Sequence, residues 1–174
     1  MSLHANDLDR IVFETDAEPA TIQLGIVIGR LLAPGDVIFL EGDLGSGKTR
    51  LAKGIVFGAV GTPPDEVVSP TFTLDNVFEG AFPVHHVDLY RISGDQIDDL
   101  GLEEAAEFGA LVVEWPQGFL EPAEGPLRLV ISRLEEENRR KVEVMWRRDG
   151  TWARRMKDLK PPSESSSFFF RTRE

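Results

Sequence analysis

The chain contains no cysteine among its 174 residues, which excludes disulfides, thiolate nucleophiles and cysteine-based metal sites. It has no apolar run long enough to span a bilayer. Its first residues, Met-Ser-Leu-His-Ala-Asn-Asp, carry neither the basic nor the apolar block of a secretory signal, so a cytoplasmic protein is expected. Positive charge is in deficit: 19 Lys and Arg stand against 30 Asp and Glu, a formal net charge of −11. That balance argues against a broad basic face for nonspecific nucleic-acid binding, though not against work on an RNA held by another protein. It also means that a bound polyanionic nucleotide needs a local source of positive potential. No internal repeat is visible.

Hydrophobic residues make up 41% of the chain, and the length suits one domain with a sizeable core. Residues 10–13 read as a strand, and Thr15 or Asp16 is placed to cap a helix over 18–32. A Pro-Gly-Asp turn at 34–36 leads into a strand at 37–40. A helix beginning near Lys48 is expected to end at Gly58 or Gly61. Residues 68–74 are extended or loop-like, because Pro70 disfavours helix at Ser69. An antiparallel hairpin is expected from 74–78 and 84–89. A helical stretch over 97–108 with a break at Gly101 follows, then a buried-type strand at 110–114. A second antiparallel pair is expected at 127–134 and 141–146, and a short helix at 152–159. The folded domain is placed at 8–160. The segment 161–174, with Pro-Pro, four serines and Phe168-Phe169-Phe170, is expected to be a flexible tail.

The most informative segment is Gly42-Asp43-Leu44-Gly45-Ser46-Gly47-Lys48-Thr49, which satisfies the phosphate-loop pattern Gly-x-x-x-x-Gly-Lys-[Ser/Thr]. Its glycines let the backbone N–H groups of residues 43–49 approach phosphate oxygens. Lys48 supplies a mobile positive charge, and the Thr49 hydroxyl is a Mg²⁺ ligand of the right hardness. The flanks fit the pattern: the apolar run 37–40 reads as a strand, and 50–57 has apolar residues at helical spacing. A helix starting at Lys48 directs the positive end of its dipole at the phosphates.

Two carboxylates lie at the ends of apolar runs, where α/β sheets place functional groups. They are Asp88 in Val-His-His-Val-Asp-Leu-Tyr-Arg (84–91) and Glu114 in Leu-Val-Val-Glu (111–114). Burying a carboxylate without a partner is costly, and a metal ion would be such a partner. The plainer readings are an exposed strand position or a pair with Arg91 for Asp88, and a solvent-facing strand end for Glu114. Thr71 and Thr73 lie in a hydroxyl-bearing loop after the first P-loop helix, where nucleotide-sensing switches occur. The alternative there is a well-hydrogen-bonded loop. His85 and His86 point to opposite faces of a strand, cannot chelate together, and are read as structural. The segment around Thr15 is a weak candidate for the adenine contact.

Four blocks, in order, resemble the TsaE (formerly YjeE) family, the small bacterial P-loop ATPases of tRNA threonylcarbamoyladenosine biosynthesis. They are Gly42–Thr49, Ser-Pro-Thr-Phe-Thr-Leu at 69–74, His-Val-Asp-Leu-Tyr-Arg at 86–91 and Glu-Trp-Pro at 114–116, with Gly-Leu-Glu-Glu at 101–104 as further support. The resemblance spans roughly residues 10–155. It implies a single-domain α/β P-loop NTPase fold, with a central mixed sheet flanked by helices and added antiparallel strands. It implies ATP and ADP binding with Mg²⁺, and weak ATPase activity. The implied partners are TsaB and TsaD, whose heterodimer makes the transfer to the tRNA adenosine beside the anticodon. tRNA is then met only through that complex.

By the same resemblance, Asp43, Leu44, Gly45, Ser46, Gly47, Lys48 and Thr49 hold the phosphates, and Thr49 and Glu114 ligate Mg²⁺. Asp88, Glu114 and Thr71 are the catalytic residues, Asp88 near Mg²⁺ or the attacking water and Thr71 as the switch threonine, and Arg140 lies near the nucleotide. Arg50 stands where the family often has Thr, and Gln117 where it often has Glu or Asp. Two other readings use the same loop: a small P-loop kinase acting on a metabolite, and a nucleotide-gated binding module with negligible turnover.

Overall fold

The computed structural model describes residues 7–159 apart from Ser93, Leu120, Glu137 and Asp158. The segment 161–174, read from sequence as a tail, lies outside the described residues.

The elements, in chain order, are β1 (Leu8–Thr15), α1 (Glu18–Gly29), β2 (Val37–Glu41), α2 (Lys48–Val60), β3 (Asp75–Phe78) and β4 (Val84–Asp88). Then come α3 (Asp95–Asp98), α4 (Leu102–Phe108), β5 (Ala110–Glu114), β6 (Leu127–Arg133), β7 (Arg140–Arg147) and α5 (Trp152–Met156). The strands form one seven-stranded mixed sheet in the order β1-β7-β6-β2-β5-β4-β3. Its centre is parallel: β2 pairs with β5 and β6, and β4 pairs with β5. Antiparallel strands close both sides, β3 on β4 and β7 between β6 and β1.

The parallel centre explains the uninterrupted apolar runs. Strands covered on both faces need apolar side chains at every position, because successive residues point to opposite faces. In β2, Ile38 and Leu40 join the core under α1, α2 and α5, while Val37 and Phe39 join the smaller core under α3 and α4. β5 divides in the same way, Ala110 and Val112 to the first face and Leu111 and Val113 to the second. The parity continues into the charged ends: Glu114 follows Val112, and Asp88 follows Val84 and His86, onto the α1–α2 face.

α1 and α2 meet backbone to backbone. A Cβ added at Gly25 would lie 2.4 Å from the Leu51 carbonyl oxygen, and one at Gly54 2.1 Å from that of Ile22. Gly29 and Gly58 make the same kind of approach one turn further on. The spacing of four residues in each helix puts its two glycines on one face. This seat fixes α2, and with it the phosphate loop.

The helix at 97–108 is interrupted as its sequence suggests. Gly101, at φ 64°, separates α3 from α4 in a left-handed conformation that glycine adopts without strain. The start of α1 differs from expectation. Ala17 occupies the cap position with no side-chain cap bond, and Pro19 lies in the first turn. Thr15 is still in β1, paired with Arg140, and its hydroxyl is shared with that of Thr21 at 2.8 Å. It is committed to the strand two residues before the helix needs a cap.

Candidate functional site

The loop after β2 turns directly into α2, whose first residues are Lys48 and Thr49. Gly42, Gly45 and Gly47 all have positive φ, at 143°, 71° and 115°. The loop curls around its own lysine: Lys48 Nζ donates to the carbonyls of Gly42 at 2.7 Å and Asp43 at 2.9 Å. Burial pushes the Lys48 pKa below its ordinary value, an effect opposed by the negative charges of Glu114, Asp88 and Asp43. An anion brought against Nζ would offset that cost of burial.

Two arginines from facing positions of β6 and β7 grip the loop from its other side. Arg133 donates to the Gly45 carbonyl through Nε at 3.0 Å and Nη2 at 2.7 Å. Arg140 donates through Nε to the Ser46 carbonyl at 2.8 Å. These carbonyls are thus engaged by cations, which lowers their repulsion toward an incoming phosphate.

Asp88 and Glu114 are register partners at the ends of β4 and β5. Both are buried, at 6% and 2% exposure, which disposes of the surface alternatives for each. Glu114 Oε2 accepts from the Thr49 hydroxyl at 3.1 Å, and Oε1 is 2.9 Å from Nε2 of His86. Asp88 Oδ2 accepts from the Thr71 hydroxyl at 3.1 Å, and Oδ1 from the Tyr90 N–H at 3.0 Å. Arg91 instead lies over the Phe72 ring, 4.8 Å from its centroid. The 69–74 loop is tied down by its own bonds: Ser69 and Thr71 share a hydrogen bond at 2.7 Å, and Leu74 accepts from the Asp88 N–H at 3.0 Å. Leu74 has φ 66°, a left-handed conformation that costs on the order of 1–3 kcal/mol for a residue with a side chain.

Trp115 is the other residue with a side chain held at positive φ, 57°, among those described. Its ring lies under Lys48, 3.8 Å from Nζ to the centroid, and against Tyr90, with centroids 4.9 Å apart. The strained turn aims the ring at the lysine, a cation–π contact worth on the order of 0.5–2 kcal/mol.

These groups surround one cleft of about 490 Å³. Its floor holds Gly45, Gly47, Lys48 and Thr49, one wall holds Thr71, Asp88, Glu114 and Trp115, and Arg140 stands opposite. Glu18 and Thr21 of α1 complete the rim, with Thr15 hydrogen-bonded behind Thr21. Arg50 pairs with Glu18 at 3.0 Å, and Gln117 is exposed. Of the residues singled out from sequence, Leu44, Gly45, Gly47, Lys48, Thr49, Thr71, Asp88, Glu114 and Arg140 line this cleft, whereas Asp43, Ser46 and Thr73 do not. Sequence reasoning passed over His86, Arg133, Tyr90 and Trp115 as site residues. For His86 the available signal was its parity with Asp88, two residues on.

A Gly-rich loop between a central parallel strand and a helix, with acidic strand ends beside it, defines an α/β protein of P-loop architecture. The profile of the family described as "Threonylcarbamoyl adenosine biosynthesis protein TsaE" matches residues 15–142. The chain belongs to the TsaE family of tRNA threonylcarbamoyladenosine biosynthesis. It is 45% identical to the TsaE protein of Nostoc sp. over 112 residues, which are 61% of this chain and 67% of that one. To that of Bacillus subtilis it is 43% identical over 110 residues, again 61% and 67%. To that of Rickettsia felis it is 32% identical over 130 residues, 74% and 75%. The crystal structure of YdiB from Bacillus subtilis superposes with a TM-score of 0.69 at 27% identity, covering 87% of this chain and 93% of that one.

Proposed function

We propose that this chain binds ATP with Mg²⁺ in the cleft, hydrolyses it slowly, and does so in the cytoplasm in support of the TsaB–TsaD pair. That pair forms N6-threonylcarbamoyladenosine at the tRNA adenosine beside the anticodon. The observation that carries the reading is the convergence of a phosphate loop with two threonine–carboxylate pairs, Thr49–Glu114 and Thr71–Asp88.

The donor set suits Mg²⁺, which prefers hard oxygens and takes one or two carboxylates with phosphate and water as the remainder. Among the described residues no group of three or more His, Cys, Asp or Glu is placed to hold a metal by itself. Thr49 and Glu114 would hold Mg²⁺. Lys48 and the N–H groups of residues 43–49 would hold the phosphates, with Arg140 at the open side. Bound Mg²⁺–ATP supplies the phosphoryl group and neutralises part of its charge. Asp88 accepts a hydrogen bond from the Thr71 hydroxyl, so the Thr71 oxygen accepts from Ser69 and keeps one further lone pair with which a water could be positioned.

Dependence on partners is supported by what surrounds the cleft. Leu44, Phe72 and Tyr90 are 72%, 85% and 53% exposed around its mouth, an apolar rim that favours being covered by another protein. The charge of −11 opposes direct tRNA contact, so tRNA would be met through the partners. The test is ATP turnover with TsaB and TsaD present or absent, together with capture of the pair in ATP or ADP. Stimulation by the pair is expected. Turnover that instead depends on a small phosphate acceptor would overturn the reading in favour of a kinase.

A further inference from the structure

His86 is fully buried, with no side-chain exposure, in the middle of β4. A buried imidazole hydrogen-bonded to a carboxylate is not needed to fill space there. The neighbouring positions on this face, Val84 and Val112, are apolar and belong to the same core cluster as Ala52 and Val56 of α2. The register sets His86 opposite Val112, one pleat before the Asp88–Glu114 pair, so its ring reaches diagonally to Glu114. Nε2 lies 2.9 Å from Oε1, while Nδ1 is buried with no hydrogen-bond partner. In a pair of this kind the ring N–H donates and the carboxylate oxygen accepts. The ring hydrogen shared with Glu114 is therefore on Nε2.

Both oxygens of Glu114 are engaged. Oε1 takes the histidine, and Oε2 takes the Thr49 hydroxyl at 3.1 Å. We propose that His86 is the positioning residue of Glu114: its Nε2–H holds Oε1, so that Oε2 stays at the Thr49 hydroxyl, where Mg²⁺ would be ligated. The inference rests on the reading of Thr49 and Glu114 as the Mg²⁺ ligands. It adds that the metal-binding geometry is set from within the sheet, by a side chain that does not line the cleft. Outer groups of this kind change metal affinity by about 10–100-fold when removed.

The experiment measures ADP binding by calorimetry, with Mg²⁺ and with chelator, for the full chain and for His86→Leu, His86→Gln and Glu114→Ala. Glutamine places an amide N–H where the histidine Nε2–H was, and leucine keeps the apolar bulk. The expected result for His86→Leu is a loss of about 10-fold in affinity with Mg²⁺ and less than twofold with chelator, with recovery in His86→Gln. Adding His86→Leu to Glu114→Ala is expected to change nothing further.

The proposal is overturned if folded His86→Leu keeps the Mg²⁺-dependent gain in affinity, or loses equally with and without the metal. It is also overturned if its effect adds to that of Glu114→Ala. Where Glu114→Ala abolishes the Mg²⁺ gain and His86→Leu does not, only the role of His86 fails. Where Glu114→Ala itself has no effect, the metal reading fails and the positioning role with it. Should His86→Leu not fold, His86→Gln against His86→Asn makes the same comparison. The shorter amide falls short of Glu114 and is expected to bind Mg²⁺–ADP more weakly, and equal binding by the two overturns the proposal.

Discussion

The two sides of the cleft are built in opposite ways. The phosphate loop is one run of eight residues, 42–49, that wraps its own lysine with its own carbonyls. The facing wall is assembled from three separated segments: the 69–74 loop, the end of β4 and the end of β5. Each of its hydroxyl–carboxylate contacts joins residues far apart in the chain, 17 apart for Thr71–Asp88 and 65 for Thr49–Glu114. A contiguous site needs only the right local backbone. A dispersed one needs the sheet order and register to be right first. The turn of the loop is therefore set by its own residues and only its seat by α1, Arg133 and Arg140, whereas the wall takes even its contacts from sheet order and register.

Removing the charge at the loop is the harshest way to break that division. Lys48→Ala is expected to weaken ATP and ADP binding by about 100-fold or more, with or without Mg²⁺, as calorimetry would show. Retained affinity would mean that the loop is not the phosphate site. Glu114→Ala, on the wall, is expected to leave ADP affinity in chelator within about threefold. It should lower Mg²⁺-dependent turnover in the assembled complex by about 100-fold. Unchanged turnover would remove Glu114 from the chemistry.

Gly54→Ala tests what seats the loop. Alanine gains about 1 kcal/mol of helix propensity, but the added methyl would sit 2.1 Å from the Ile22 carbonyl oxygen, and backbone cannot step aside as a side chain can. The clash is expected to win, with a net loss of about 1–3 kcal/mol and a fall of several degrees in Tm by calorimetric scan. An unchanged or raised Tm would show that the two helices separate freely.

The smallest effect is a titration confined to the loop. Burial lowers the Lys48 pKa below 10.5, so the folded protein disfavours its charged form. That destabilisation is present below the lowered pKa and is relieved as pH rises through it. Phosphate binding favours the charged form and raises the pKa again. Nucleotide affinity should therefore begin to fall below the ordinary lysine range as pH rises, with proton uptake on binding in that window. Calorimetry in buffers of different ionisation enthalpy reads this uptake directly, and its absence would mean that Lys48 stays fully charged throughout.

Much of this site was legible from residue order alone, and the reasons differ by residue. Lys48 and Thr49 were found because their spacing from the glycines is the chemistry. Asp88 and Glu114 stood out because a charge at the end of an apolar strand calls for a partner. The strand and helix order followed from unbroken apolar runs and from glycine and proline between them. His86 was set aside because parity separates it from His85 without saying what lies on its own side. The glycine pairs 25/29 and 54/58 were visible as spacing, but only the packing of α1 on α2 shows that they face each other. The strained Trp115 has no local signature, and the expected pair at 127–134 and 141–146 brings Arg133 and Arg140 together without showing that both reach the loop carbonyls.

By itself the sequence determined the secondary elements, the phosphate loop and the identities of the two carboxylates, because each of these depends on neighbours along the chain. The tertiary structure alone decided that β5 lies between β2 and β4. That order places Glu114 beside Asp88 and within reach of both Thr49 and His86. The physical reason is range. Backbone propensity and alternation act over a few residues, whereas the contact between a strand end and a helix start 65 residues away is set by sheet register and by the backbone seat of α2 on α1.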